Sequence, residues 1–274
     1  MSPLTISDWL QSATNTLRNA GIDSARLDAE IIIAHTLLKN RTYLHAHGDE
    51  LLDPHRREIA DARVQLRTER TPIAYIVGHK EFYGRLFRVT PATLIPRPES
   101  EAIITILREL IEQNKFPEQR LVDVGTGSGC LGITAKLEFP QLHTTLIDIS
   151  QHALTVTRKN AEKLNADITL LRSDLLESYA DIAQYIVANL PYVDPSWQRS
   201  PETDHEPSLA LFSEDNGLRL IKKLLKQAPA YLAQGGYLIL EADKRQHAEI
   251  IRIAQEEGFS HHKTEGLIVC LQKR

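Results

Sequence analysis

The sequence predicts an α/β protein in which a small all-α domain precedes a mostly parallel sheet. Three observations carry this reading. Residues 1–79 show helical periodicity punctuated by capping residues. From residue 121 short apolar runs alternate with helical patterns, the signature of βαβ units and a sheet covered on both faces. Asp148, Asp174 and Asn189 each end one of those runs, and a glycine loop ends another. All therefore fall at the carboxyl ends of strands, where open α/β sheets bind ligands.

The bulk composition sets limits. The 274 residues suffice for two domains or one large one, and 42% apolar with 25% charged residues is ordinary for a globular chain. A net charge of -4 and a pI near 6.3 argue against attachment to nucleic acid mainly through phosphates. Cys130 and Cys270 are the two cysteines and neither belongs to a CxxC, so no zinc site, other metal centre or disulfide framework is expected. There is no basic start followed by an apolar run and no bilayer-length apolar stretch, so a cytoplasmic location and no membrane attachment are expected.

The elements follow in order. SDWLQSATNTLRNAG places Leu10, Ala13 and Leu17 on one helix face, with Gly21 suited to the left-handed C′ position. DSARLDAEIIIAHTLLK starts at a capping Asp23 or Ser24 and repeats Leu27, Ile31, Ala34 and Leu38. In DPHRREIADARVQLRTER, Asp53 is the N-cap and Pro54 takes the first helical position, where a missing N–H costs nothing. The short segment TPIAYIVG follows. EFYGRLFRV has two aromatic or β-branched runs around Gly84 and predicts a hairpin. In TLIPRPES, Pro96 and Pro98 fix an extended loop before the helix EAIITILRELIEQ. This divides the chain into a helical domain over 1–79, a hairpin and loop linker over 80–95, and the α/β domain over 96–274. Strand LVDV then leads to GTGSG and a helix. TTLI ends at Asp148 before a helix from Gln151 or His152 to Leu164. ITLL leads to Ser173-Asp174, YIVA leads to Asn189, and YLILE spans Tyr237 to Glu241 after two glycines.

GTGSG, residues Gly125, Thr126, Gly127, Ser128 and Gly129, does not complete a dinucleotide fingerprint, because Cys130 stands where GxGxxG needs glycine. No Lys-Ser or Lys-Thr follows, so it is not a phosphate-binding P-loop. It still lets a nucleoside lie close to the backbone. Asp148 is placed to take both ribose hydroxyls, and Asp174 to reach the adenine or its amino group. A nucleoside without a pyrophosphate suggests S-adenosylmethionine. Taken singly, the glycines are those of many strand-to-helix turns and the aspartates those of helix caps. Found in order on one sheet edge, they point to a cofactor site.

On that edge lies IVANLPYVD, a strand that runs into an amide, a proline and a phenol. A planar substrate NH₂ has two hydrogens to donate. The Asn189 side-chain oxygen and the Leu190 carbonyl are placed to accept one each, with Tyr192 against the substrate face. Pro191 holds Leu190 extended, so that its carbonyl points outward. The bland alternative is a strand ending in a proline turn.

The run TPIAYIVGHKEFYGRLFRVTPATLIPRPESE, followed by VDVGTGSGC, IVANLPYVD and HEPSLALFSEDNGL, resembles the HemK-type glutamine N5-methyltransferases of peptide chain release factors. The resemblance covers residues 71 to 241, and the proline loop and HEPSLAL are its discriminating pieces. It implies a Rossmann-like class I methyltransferase sheet, mostly parallel with an antiparallel last strand. It implies that Gly125 to Gly129 and Asp148 bind S-adenosylmethionine, that Leu175 beside Asp174 contacts the adenine, and that Asn189 also meets the donor. The family's Asn-Pro-Pro-Tyr motif binds the glutamine amide and falls on Asn189, Leu190, Pro191 and Tyr192, the catalytic and substrate-binding residues. The implied reaction methylates the side-chain amide nitrogen of the glutamine in the release factor GGQ loop. The helical domain would grip that protein substrate, by a monomer that contacts no nucleic acid directly.

Two departures stand out. Leu190 replaces the family's usual proline, which leaves the carbonyl available on a looser backbone. The end of the chain, GFSHHKTEGLIVCLQKR, lacks most of the longer Asp/Gly/Arg-containing connection usual between the last two strands. No strong base is expected, and His205 reads as a solvated loop histidine. The rival enzyme reading is an adenine N6-methyltransferase acting on rRNA or DNA, since Asn-Leu-Pro-Tyr is familiar from rRNA adenine dimethylases. Against it stand the acidic pI, the N-terminal place of the helical domain and the proline loop. A third reading, a binding module without catalysis, would need a broken constellation.

Overall fold

The N-terminal elements are helical: α1 (Ile6–Asn19), α2 (Ala25–Leu37), α3 (Arg41–Ala46), α4 (Pro54–Thr68) and α5 (Ile73–Val77). The structure is a computed structural model that describes residues 4–114, 116 and 118–274. A capping box starts α1: the Thr5 hydroxyl accepts the Asp8 N–H at 3.1 Å while the Asp8 carboxylate accepts from Thr5. Trp9, Leu10, Ala13 and Leu17 form its buried face. Gly21 closes the helix at φ +72°. Asp53 caps α4 through the Arg56 N–H at 2.9 Å, with Pro54 in the first turn, as its sequence predicts.

The stripe expected on α2 is rotated. Leu27 and Leu38 are exposed and Ile31 is half-buried, while Ala34 is buried as expected together with Ala25, Ala29, Ile32, Ile33 and Thr36. Apolar residues surround this helix on several sides, so periodicity alone does not choose a face. Asp28 turns inward to the buried Arg67 of α4 at 2.7 Å. Helices α3 and α5 are too short for a periodic signal.

Contacts divide the chain into two units, Met1–His79 with Ser200–His205, and Lys80–Arg199 with Glu206–Arg274. In the first, Glu202 accepts from Arg67 at 3.0 Å and from Arg70 at 3.3 Å, and the His205 ring meets the Glu69 carbonyl at 2.9 Å.

A hairpin of β1 (His79–Phe82) and β2 (Arg85–Arg88) turns at Tyr83 and Gly84, both with positive φ, as a two-residue type I′ turn requires. The remaining elements are α6 (Glu101–Gln113), β3 (Arg120–Val124), α7 (Cys130–Glu138), β4 (His143–Asp148), α8 (Gln151–Leu164), β5 (Thr169–Arg172), β6 (Ala183–Ala188), α9 (Ser208–Leu211), α10 (Arg219–Tyr231), β7 (Leu232–Glu241), α11 (His247–Glu256), β8 (Phe259–Glu265) and β9 (Ile268–Lys273). The strand order is β5-β4-β3-β6-β7-β9-β8. Pairings from β5 to β7 are parallel, and β9 runs antiparallel to both neighbours. The expected last antiparallel strand is therefore inserted between β7 and β8. Gly266 and Leu267 alone separate β8 from β9, so the shortened connection is a tight hairpin.

Side chains alternate across the sheet. From β6, Ile186 and Ala188 pack with Leu224 and Leu225 of α10 and Ile250 of α11. Tyr185 and Val187 point the other way, to Ile103 and Leu107 of α6 and to Phe82 and Phe87 of the hairpin. Burial of both faces anchors the strands and leaves their carboxyl ends to build a site. Among the described residues no helix is long and apolar enough to cross a membrane.

Candidate active site

The glycine loop leaves β3 in a sharp turn, in which the Gly125 and Thr126 N–H groups both donate to the Ile147 carbonyl at 2.9 Å. Gly125 has φ +74°, and a Cβ there would stand 2.8 Å from Leu190 Cδ2. The left-handed φ favours glycine there, and a side chain would have to push the Leu190 methyl aside. Asp123, wholly buried beneath the loop, accepts from the Thr126 hydroxyl at 2.6 Å and the Gly132 N–H at 2.9 Å. Burial pushes its carboxyl up to about 6.

At the end of β4, Asp148 Oδ2 accepts the Gly127 N–H at 2.9 Å and Oδ1 accepts the Ser150 N–H at 2.8 Å. A carboxylate offers about four acceptor positions, and with the Ile149 N–H also acting on it about one remains for a ligand. Burial raises the Asp148 pKa, against the pull of these backbone donors. Asp174 is paired with Lys223 at 2.7 Å. Leu175 beside it adopts φ +52° and is buried.

A cleft of about 320 Å³ joins these parts. Gly125, Thr126, Gly127, Ser128, Asp148, Asp174, Leu175, Asn189, Leu190 and Pro191 all line it. Gly129 and Tyr192 do not. Gly129, at φ +84°, starts α7, and a Cβ there would press within 2.7 Å of Ile133 and Thr157. The Tyr192 hydroxyl donates to Glu241 Oε1 at 2.9 Å, which fixes the far end of the ring that the sequence sets against the substrate face.

That bond belongs to a chain that sequence reasoning missed. Ser100 Oγ donates to Glu241 Oε2 at 2.5 Å and accepts the Asn189 amide N–H at 3.0 Å. Ser100 closes the proline loop and Glu241 ends β7. An acid ending an apolar strand on the shared edge was the available signal for Glu241. Burial raises the Glu241 pKa, and burial and Glu241 together raise that of the Tyr192 phenol. Glu206 of the HEPSLAL segment secures the proline loop, accepting from the Ile95 N–H at 3.1 Å and from Arg97 at 2.5 Å.

These residues fit a nucleoside with a short charged tail: bare glycine backbone, a carboxylate with a spare acceptor position, and apolar walls at Leu175 and Leu190. The sheet order and this edge define a class I S-adenosylmethionine-dependent methyltransferase. The fold is shared with a 16S rRNA N2 G1207 methyltransferase of T. thermophilus (TM-score 0.54, 17% identity, 72% of this chain and 50% of that one). It is also shared with a methyltransferase from Pyrococcus furiosus (TM-score 0.52, 18% identity, 77% and 95%). Residues 8–78 match the PrmC N-terminal domain and residues 101–203 the methyltransferase small domain. Release factor glutamine methyltransferases from Koribacter versatilis and Leptospira interrogans are 37% and 35% identical to the chain. The alignments cover 87% and 96% of this chain, and 86% and 94% of those proteins. The chain belongs to the release factor glutamine methyltransferase family.

Proposed function

We propose that the chain transfers a methyl group from S-adenosylmethionine to the side-chain amide nitrogen of the glutamine in the GGQ loop of peptide chain release factors. The observation that carries this reading is the tether on Asn189. With its amide nitrogen on Ser100, its oxygen is left for the cleft, which Leu190 also lines. Two neighbouring acceptors suit the two hydrogens of a planar amide.

Gly125 to Gly129, Asp148, Asp174, Leu175 and Asn189 would hold the donor, with Gly129 acting by shaping the loop. When bound, S-adenosylmethionine supplies a methyl group already activated by its sulfonium. The amide nitrogen is a poor nucleophile, because its lone pair is delocalised into the carbonyl. The residues therefore act by orientation, which can supply about 7–11 kcal/mol. Asn189 and Leu190 hold the nitrogen in line and stabilise positive charge growing on it. Pro191 fixes the direction of the Leu190 carbonyl, and Tyr192, tethered to Glu241, fixes the turn behind it. The nitrogen sheds its proton after transfer, when it is acidic, so no side chain need act as a strong base. His205 bonds the Glu69 carbonyl and takes no part.

Residues 1–79 serve as the substrate-recognition domain, joined by 200–205, and 96–274 otherwise as the catalytic domain, into which the segment 80–95 packs. The protein acts as a cytoplasmic monomer without direct nucleic-acid contact, in keeping with its net charge of -4. The test is transfer of a labelled methyl group to purified release factor and to rRNA, side by side. Label on the release factor supports the reading. Label on rRNA alone would establish the adenine methyltransferase reading instead.

A further inference from the structure

Four side chains join the proline loop, the segment after β6 and the end of β7: Asn189, Ser100, Glu241 and Tyr192. Ser100 is 2% exposed and Glu241 1%, so water does not settle their hydrogen bonds. An ionised carboxylate only accepts. The Tyr192 hydroxyl and the Ser100 hydroxyl must therefore both donate to Glu241. Ser100 has one proton, and that proton is committed. Towards Asn189 it can only accept, so the Asn189 NH₂ must face it and the Asn189 oxygen must face the cleft. Rotating the amide by half a turn would set two oxygens against each other with no proton between them.

We propose that Glu241 is a positioning residue that, directly and through the single proton of Ser100, makes Asn189 present an acceptor to the methyl-accepting group. The device selects an acceptor that carries hydrogens, an amide rather than a carboxylate. This inference rests on the substrate reading above and deepens it.

The consequence is an inversion that a merely structural contact would not produce. In Glu241→Gln one end of the group becomes a donor; with Tyr192 donating to the Gln oxygen, as it does to Glu241, the Gln NH₂ faces Ser100 and donates to it. The Ser100 proton then turns to Asn189, which rotates to accept it and offers NH₂ to the substrate NH₂. Single-turnover methyl transfer in Glu241→Gln should fall about 10²–10³-fold, like removal of one transition-state hydrogen bond. Ser100→Ala removes the relay but leaves the Asn189 NH₂ on the Glu241 carboxylate, so the loss should be smaller. The double variant Glu241→Gln/Ser100→Ala should be faster than Glu241→Gln, by about tenfold or more. A double variant no faster than Glu241→Gln would overturn the proposal.

Where Glu241→Gln does not fold, wild type and Ser100→Ala carry the test. Protonating Glu241 should invert the relay in the same way, and burial raises its pKa. With donor saturating, wild-type turnover should then show a steeper acid limb than Ser100→Ala, and equal limbs would overturn the proposal. The other charged or titratable groups near this chain are Glu99, Arg97, Cys130, Tyr192 and Asp243. A third measurement needs no substrate. The Asn189 side-chain NH₂ should show a nuclear Overhauser contact to the Ser100 β protons in the wild type that weakens in Glu241→Gln. A wild-type enzyme inert on release factor would refute the substrate reading alone, while this contact still decides the amide polarity; its absence in the wild type would overturn the proposal.

Discussion

Replacing Asp148 by alanine tests the donor site where its geometry is most explicit. The carboxylate has two tasks. It holds the glycine loop by accepting the Gly127 N–H at 2.9 Å, and it keeps a spare acceptor position turned to the cleft. A hydrogen bond to a charged group contributes about 1.5–3 kcal/mol, so losing the ribose contact should weaken donor binding by about 10- to 150-fold. Asp148→Asn should do almost as badly, because one backbone N–H, of Gly127 or Ser150, would then meet an NH₂. Burial raises the Asp148 pKa, and the donor needs the carboxylate. Affinity should therefore decline as pH falls through a value above the ordinary 3.8. The assay is titration calorimetry with S-adenosylmethionine across pH, on variants that melt like the wild type. A dissociation constant for Asp148→Ala within about twofold of the wild type would refute the ribose role.

Further outcomes follow from the same geometry. Arg67→Ala strands the buried Asp28 and should cost the helical unit about 3–5 kcal/mol, read by chemical denaturation, while hydrogen exchange at residues 200–205 accelerates. Unchanged exchange there would show that Arg67 does not hold the segment. Leu190→Pro keeps the carbonyl and restricts φ, so turnover should hold or rise modestly; loss of turnover in a folded variant would contradict the backbone role assigned to Leu190. Burial lifts Asp123 from 3.8 to about 6. Its contribution to folding is therefore full below 3.8 and is lost as pH rises through 6. Asp123→Asn should flatten that part of the decline in stability measured between about pH 4 and pH 8.

Much of this architecture is legible in local patterns. The strands ending at Asp148 and Asn189, the Asp53–Pro54 helix start and the hairpin at Gly84 each announce themselves within ten residues. What stays hidden depends on pairing across the chain. Asp28 faces inward to Arg67, 39 residues later, a pairing that no local pattern on α2 shows. Ser100 and Glu241 are 141 residues apart, so nothing in RPES or YLILE reveals their bond. The same bond network holds the Tyr192 hydroxyl on Glu241, a partner that the motif alone does not reveal. The place of β9 between β7 and β8 is likewise a choice among edges that strand composition does not encode.

The claim at the centre of this account is that the Asn189 side-chain oxygen receives the amide that is methylated. Single-turnover methyl transfer to the release factor glutamine, with donor saturating, measures it directly. Asn189→Ala removes one of two acceptors, so the NH₂ can rotate out of line, and the rate should fall about 10²–10³-fold. A folded Asn189→Ala enzyme that transfers methyl at the wild-type rate would contradict the account.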